Sequence, residues 1–332
     1  MRVAINGLGR IGRTFLRAAL RGGELEIVAI NEPAGIETAA HLVKYDSSHG
    51  TYPGEIRTDG DFLVVDGKRI HVLGETEPAA LPWARERIDV VVEAAGRFTS
   101  RGKAAAHLAA GAKRVVISAP SPDPDITIVM GVNDRDYRAD LHHIISNASC
   151  TTNCLAPMLK VLDEKFGIRK TLMTTVHPYT NNQQLHDGPH ADLRRGRAAA
   201  LSIVPTTTTA IQAVLWVMPQ LTGRIDGMAI RVPTANVANI DLVAELAREV
   251  DVEALNAAFR ESAEGELQGI LAVCADELVS MDYRGNPLSA IVDLPATQVV
   301  DGKLARILAW YDNEAGYSNR LVDLVKMIGR EG

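Results

Sequence analysis

The stretch RVAINGLGRIG, residues 2–12, decides how the rest of the chain is read. RVAIN is a short β-rich run, and beyond it Ile11, Phe15, Leu16 and Leu20 fall on one face of a helical pattern. Between the two lies Gly7-Leu8-Gly9-Arg10-Ile11-Gly12, which fits G-x-G-x-x-G. In a strand–turn–helix setting the glycines allow a tight turn, a close backbone approach to a pyrophosphate, and close packing of helix on strand. The helix N-terminus adds backbone N–H donors and a field that favours an anion. Such a site needs an acidic residue about 20 positions on, at the end of the second strand, to meet the adenosine ribose. Glu32 stands there, just after LEIVAIN (25–31). Its carboxylate repels a 2′-phosphate, so NAD is favoured over NADP as cofactor.

The strand–helix rhythm then repeats. IDVVVEAAG (88–96), the alanine-rich run 103–110 and RVVISAP (114–120) read as strand, helix, strand. Alternation of this kind implies a parallel, doubly wound sheet. After residue 170 the texture changes. LMTTVH, MAIRVP, VANIDLVAEL, GILAVC and ARILAWYD are β-rich runs with long connections, interrupted by helical spacing at about 251–262 and once before it. A mainly antiparallel second sheet with helices on one face is expected. YSNRLVDLVKMI returns to helical spacing at the C-terminal end.

Bulk composition narrows the function classes. The 332 residues are 46% hydrophobic and 23% charged, ordinary for a soluble globular chain, and long enough for two domains. A net charge of −6 offers no basic surface for nucleic acid or anionic lipid. MRVAINGLGRIG has no apolar leader core, and no apolar run approaches the roughly 18 residues of a membrane span. Three unevenly spaced cysteines make no disulfide framework, so a cytoplasmic location is expected.

Two of those cysteines lie in SNASCTTNCLAP (146–157). Ser149 suits an N-cap, and Leu155, Met158, Leu162 and Phe166 continue a helix behind it. Cys150 then occupies the first turn and Cys154 the next. Side chains four apart on a helix keep their Cβ atoms about 5–6 Å apart, whereas a disulfide wants about 3.5–4.5 Å. A structural zinc needs two further ligands at readable spacing, and neither Cys274 nor the histidines supply a second close pair; no metal is expected. The first helical turn lowers a thiol's pKa, which makes Cys150 the candidate nucleophile and Cys154 a packing residue. A nucleophile needs a base, and His177, at the end of a strand-like run, is the best placed of nine histidines.

These motifs taken together resemble one enzyme family. INGLGRIG, KYDSSHG, SNASCTTNCLAP, HPYTNNQQ, DLRRGRAAALSIVPTTTTA, MAIRVPTANV and WYDNEAGYSNR are similar to segments of the phosphorylating glyceraldehyde-3-phosphate dehydrogenases, nearly end to end. The closely related erythrose-4-phosphate dehydrogenases share the superfamily. The resemblance implies a Rossmann-type doubly wound parallel sheet in an NAD-binding domain, residues 1–149, completed by a C-terminal helix at 314–332. It implies an α+β catalytic domain with a mainly antiparallel sheet at 150–313. It further implies a glycolytic, cytoplasmic homotetramer acting on a phosphorylated aldose and inorganic phosphate, with no nucleic-acid or membrane partner.

Residue roles carry over by position. Cys150 would form a hemithioacetal and then a thioester, and His177 would take the hydroxyl proton. The substrate phosphate would be held by residues matching Thr180 and Arg231. The attacking phosphate would lie near those matching Ser149, Thr151, Thr208 and Arg195, with Thr209 beside them. Gly7, Gly9, Arg10, Ile11, Gly12, Glu32 and Ser118 match cofactor contacts, and Asn313 matches the holder of the nicotinamide carboxamide. The chain departs from the family pattern in places. Thr209 stands where glycine is usual, and a side chain there is expected to crowd the phosphate. Thr76 replaces an adenine-side arginine, Glu32 an aspartate, and Ala315 a common tryptophan. NNQQ replaces NDQ, and Gly188 an apolar residue. Glu32 and the QQ pair are also features of the erythrose-4-phosphate enzymes, so both sugar phosphates stay open as substrates, as does a non-catalytic NAD-binding protein.

Overall fold

The computed structural model describes residues 1–331. Its contacts separate two compact units. The first takes residues 1–128, 133–148 and the last helix from Ser318 onward; the second takes 129–132 and 149–317.

The first unit is built on strands β1 (Arg2–Asn6), β2 (Glu26–Asn31), β3 (Ile56–Asp59), β4 (Phe62–Val65), β5 (Lys68–Leu73), β6 (Val90–Glu93), β7 (Arg114–Ile117), β8 (Ile126–Thr127) and β9 (Ile144–Ser146). They form one sheet in the order β3-β4-β5-β2-β1-β6-β7-β9-β8. Every pairing from β5 through β2, β1, β6, β7 and β9 to β8 is parallel. Helices α1 (Arg10–Gly22), α2 (Ile36–Lys44), α3 (Trp83–Glu86) and α4 (Arg101–Ala109) lie between strands in the chain. Burial on both faces explains the unbroken apolar runs: Val3, Ile5, Ile30, Val91, Val92 and Val116 are 1% exposed or less.

Residues 56–73 add an antiparallel edge that the strand–helix rhythm does not reveal. Its local signal is Asp66-Gly67, where both residues have positive φ (48° and 79°), the two-residue hairpin turn that matches strand twist. Between β2 and β6, β1 is also where strand order changes direction. In open α/β sheets ligands bind beyond the carboxyl ends of the strands at that switch point.

The second unit carries α5 (Cys150–Phe166), β10 (Ile168–Pro178), β11 (Val204–Thr206), α6 (Ala210–Val217), β12 (Ile225–Val232), β13 (Ala238–Leu246), α7 (Val252–Glu264), β14 (Leu271–Cys274), β15 (Ala290–Val300) and β16 (Leu304–Tyr311); α8 (Ala315–Glu331) follows. Its sheet runs β11-β12-β10-β13-β16-β15-β14. Four pairings are antiparallel, while β10 with β12 and β14 with β15 are parallel. Period-two alternation along β10 buries Thr171, Met173, Thr175 and His177 on one face and leaves Leu172 65% exposed on the other. Among the described residues no helix is long and apolar enough to cross a membrane.

Candidate active site

In the second unit, α5 begins where its cap dictates. Ser149 is extended, and its Oγ accepts from the Thr152 backbone N–H at 3.0 Å, so Cys150 is the first helical residue. Cys150 Sγ lies 3.6 Å from His177 Nε2. The imidazole is only 4% exposed; its other nitrogen, Nδ1, sits 2.9 Å from the Pro178 carbonyl oxygen and against Nη1 of Arg231. The parallel register of β10 and β12 sets His177 opposite Arg231, which is how residues 54 apart in sequence meet. Cys154 is fully buried one turn on, and all three cysteines are free thiols.

Behind the sulfur runs a chain of hydroxyls absent from the sequence-based expectation. Thr175 Oγ1 donates to the Asn239 carbonyl at 2.9 Å and lies 3.0 Å from the Tyr311 hydroxyl, which lies 2.9 Å from Thr151 Oγ1. Tyr311 presents its ring edge to His177, with centroids 6.2 Å apart. Burial pushes Tyr311 and Tyr317 well above the ordinary phenol range, with the Cys150 charge adding to it, so both are neutral hydroxyls. The signal for them was present: two tyrosines flank DNEAG within an otherwise polar run.

One expectation is reversed. The first-turn position was expected to depress the Cys150 pKa, but the thiol is pushed above its ordinary value. Desolvation is the largest influence. The charge of Arg231 and the Thr151 hydroxyl and backbone donors oppose it without overcoming it. His177 is driven the other way for a neutral base, down to about 3, first by burial and then by Arg231. At neutral pH the unliganded pair is thiol and neutral imidazole.

That depression has a sign and a window. The unfolded chain protonates His177 below pH 6.5 while the folded chain stays neutral until about 3, so stability is lost as pH falls between those values. Each pH unit in the window costs about 1.4 kcal/mol, and at pH 5 the loss should reach about 2 kcal/mol. Urea unfolding at pH 8 and pH 5 should show His177→Asn losing that much less than wild type; equal losses would contradict the buried neutral imidazole.

The other residues expected to bind phosphate have these places. Arg231 is half-buried, and no carboxylate pairs with it among the described residues. Burial, with the charge of Arg195 adding to it, lowers its pKa. Arg195 Nε donates to Thr206 Oγ1 at 2.8 Å and Nη2 to the Thr207 carbonyl at 3.2 Å, while Asp192 braces both Arg195 and Thr206. Thr208 Oγ1 accepts from Ala210 N–H at the start of α6. Thr209 is exposed, with φ −83° and ψ −3°, an ordinary right-handed conformation that needs no glycine. The Thr180 N–H points to Gln183 Oε1. Ser149 Oγ is engaged as the cap and Thr151 Oγ1 faces Tyr311, so each already has a partner inside the unit. Asn313 Oδ1 accepts from Val237 N–H at 3.1 Å, and Val237 holds φ at +66°, a strained position for a β-branched residue. Ala315 is buried as the first residue of α8, with its N–H on Asp312.

In the first unit the residues present fit a dinucleotide. A groove of about 270 Å³ is lined by Gly7, Leu8, Gly9, Glu32, Thr76 and Phe98, among others. Gly7 has φ +93°, and a Cβ there would meet the Ala95 backbone at 2.6 Å; one on Gly12 would meet the Gly7 carbonyl oxygen at 2.1 Å. A Cβ on Gly9 would meet nothing within 4 Å, which leaves open space beside the backbone for a phosphate. The first turn of α1, at Arg10 and Ile11, carries no acidic residue to oppose an anion, and the Arg10 side chain turns to a two-point ion pair with Asp46. Glu32 accepts from the Leu8 and Ala34 N–H groups, both at 3.0 Å, which ties the end of β2 to the glycine loop. Ser118 follows β7, its N–H on the Glu93 carbonyl. Beneath the loop Glu93 is 1% exposed and accepts from Asn6 and His107. Trp83 Nε1 donates to His107 Nδ1, so the ring hydrogen lies on Nε2, toward Glu93. No local motif points to this network, because its members come from separate elements.

Comparison with known proteins supplies the remaining finding. The family described as glyceraldehyde 3-phosphate dehydrogenase, NAD binding domain, matches residues 1–101, and the corresponding C-terminal domain matches 149–313. The chain is 56% identical to glyceraldehyde-3-phosphate dehydrogenase of Geobacillus stearothermophilus, over all of this chain and 99% of that protein. It is 54% identical to glyceraldehyde-3-phosphate dehydrogenase 1 of Bacillus subtilis, with the same coverage. It is 50% identical to the chloroplastic glyceraldehyde-3-phosphate dehydrogenase B of Pisum sativum, covering all of this chain and 74% of that one.

Proposed function

The chain belongs to the glyceraldehyde-3-phosphate dehydrogenase family, and from that membership we propose that it oxidises D-glyceraldehyde 3-phosphate to an acyl phosphate through a thioester on Cys150. It is an NAD-dependent phosphorylating aldehyde dehydrogenase. The observation that carries the reading is the 3.6 Å approach of Cys150 Sγ to His177, beside a guanidinium with no carboxylate partner among the described residues.

Sulfur adds to the aldehyde carbon, and the thiol proton ends on the new hydroxyl. His177 then takes that proton as hydride leaves the hemithioacetal carbon, and a thioester results. The glycine loop, Glu32 and Ser118 would hold NAD, which when bound supplies the hydride acceptor. Inorganic phosphate attacks the thioester carbonyl, the acyl phosphate departs, and the thiol is restored. Thr180 and Arg231 would hold the substrate phosphate. Arg195, Thr208, Thr209 and the α5 N-terminus with Ser149 and Thr151 would hold the attacking one. For Ser149 and Thr151, whose hydroxyls are engaged, the backbone N–H groups of the first turn are the more available donors. A reducing cytoplasm would keep Cys150 a thiol.

Formation of NADH should require both the sugar phosphate and inorganic phosphate. kcat/KM measured for glyceraldehyde 3-phosphate and erythrose 4-phosphate, each with and without phosphate, tests the reading. A preference for the longer aldose with no need for phosphate would reassign the substrate, and NAD binding without turnover on either would make the protein non-catalytic. The same reading makes it a homotetramer, supported by the exposure of Leu185, Leu193, Leu201 and Ile203 (75, 85, 81 and 70%). Sedimentation should give four times the chain mass, and a stable monomer would contradict it.

A further inference from the structure

Arg195 stands on the long connection between β10 and β11, so no strand or helix of its own fixes its side chain. Thr206 does so instead, from the end of β11, a strand at the sheet edge paired with β12. The buried Thr206 Oγ1 has two charged neighbours. Arg195 Nε, 2.8 Å away, can only donate a hydrogen bond, and the Asp192 carboxylate, 3.0 Å away, can only accept one. A hydroxyl carries one hydrogen, so only one polarity satisfies both: hydrogen toward Asp192, lone pair toward Arg195. The other Asp192 oxygen accepts from the backbone N–H groups of Arg194 and Arg195, at 2.9 and 3.4 Å. Partial desolvation opposes ionisation of Asp192. The Thr206 hydroxyl, these backbone donors and the Arg195 charge outweigh it and hold the group below the ordinary carboxylate range.

We propose that Asp192 and Thr206 are positioning residues that lock the Arg195 guanidinium in place for the attack of inorganic phosphate on the thioester. Nε–H is occupied by Thr206 and one Nη2 hydrogen by the Thr207 carbonyl, at 3.2 Å. The remaining N–H groups, both of those on Nη1 among them, have no acceptor among the described residues. They form the end-on fork of the guanidinium, which can bind two phosphate oxygens at once.

The lock acts against two opposing effects. An arginine side chain is rich in rotamers, and holding it in one costs entropy. Arg195 also lies close enough to Arg231 for the two charges to be felt, and like charges repel. Free of Thr206, Arg195 would swing away from its neighbour, and phosphate would have to draw it back. Register reinforces the arrangement, because β11 sets Val204 opposite Arg231 while it carries Thr206. A tie that merely kept the 179–203 connection in place would affect both halves of the reaction alike. A lock on the guanidinium affects the second half alone. This role rests on the reading of Arg195 as a ligand of the attacking phosphate.

Two measurements on the full chain separate the halves. The NADH burst with aldehyde and NAD but no phosphate reads thioester formation, and kcat/KM for phosphate reads the attack. Thr206→Val keeps the shape and removes the hydroxyl. It should leave the burst unchanged and lower kcat/KM for phosphate about 10-fold, the scale of one lost hydrogen bond to a charged group. Thr206→Ser should restore most of that loss. Asp192→Asn should lower kcat/KM for phosphate as well. The Arg194 and Arg195 N–H groups would hold the amide oxygen and turn its NH2 toward Thr206, which needs an acceptor there. In an Arg195→Ala background, Thr206→Val should have no further effect, because both changes act through one group. The lock is overturned by an undiminished kcat/KM for phosphate in Thr206→Val, by no recovery in Thr206→Ser, or by a burst that falls in parallel. A higher value in Asp192→Asn, or additive losses in the double variant, would overturn it too. If Arg195→Ala alone leaves kcat/KM for phosphate unchanged, the reading of Arg195 as a phosphate ligand fails, and the lock fails with it.

Discussion

Replacing Cys150 by alanine should lower kcat/KM by about 10⁴-fold or more, the scale seen when a covalent nucleophile is removed from an otherwise intact site. No other group stands ready to replace it. Cys154 is fully buried one turn further along α5, and Cys274 lies on β14 with its sulfur on the Asp276 carbonyl. The substitution should spare the fold, because Cys150 is a half-buried first-turn residue and the cap is made by Ser149, not by the thiol. NAD affinity should also be unchanged, since the glycine loop and Glu32 lie in the other unit. NADH formation and an NAD titration on the same preparation check this. A variant that retains most of its turnover would remove Cys150 from the chemistry, whatever its NAD affinity.

Gly12→Ala should be the most damaging small substitution in the dinucleotide loop. Its methyl would sit 2.1 Å from the Gly7 carbonyl oxygen, well inside contact distance. That carbonyl has little room to yield, because the Gly7 N–H is tied to Asn31 and Gly7 itself packs on the Ala95 backbone. Either α1 must lift from β1 or the turn must open. Overpacking of this kind costs about 1–3 kcal/mol, and dinucleotide affinity should fall at least as steeply as stability. Gly9→Ala is the control that separates the two effects. Gly9 has φ −68° and open space at its Cβ position, so thermal unfolding should not change. The methyl would still occupy the approach to the pyrophosphate, and NAD should bind about 100-fold more weakly, the loss expected for a blocked phosphate contact. Unaltered NAD affinity in Gly9→Ala would show that the loop does not cradle the cofactor.

The parts of the molecule legible in the sequence are those set by short-range rules. The Ser149 cap and the helix behind it follow from neighbouring residues, as do the strand ending at Asn6 and the alternation that buries Thr175 with His177. The antiparallel edge at 56–73 was legible through Asp66-Gly67, although the strand–helix rhythm passed over it. The parallel pairings inside the second sheet were not. Nothing in MAIRVP states that β12 runs alongside β10 in the same direction, because strand order is fixed by which faces can be buried together.

The sequence by itself determined the kind of chemistry: a glycine loop opening a helix, an acidic residue after the second strand, and a capped thiol with a histidine downstream. Only the tertiary structure decided the state of that chemistry. It set Arg231 against His177, Tyr311 against Thr151 across 160 residues, and Thr209 in a turn with no need of glycine. It also reversed the expected direction of the Cys150 pKa. A helix position acts on a thiol through a few local dipoles, which the sequence reveals. Desolvation and the charge of a neighbouring guanidinium act through space, and their strength depends on which strands lie side by side.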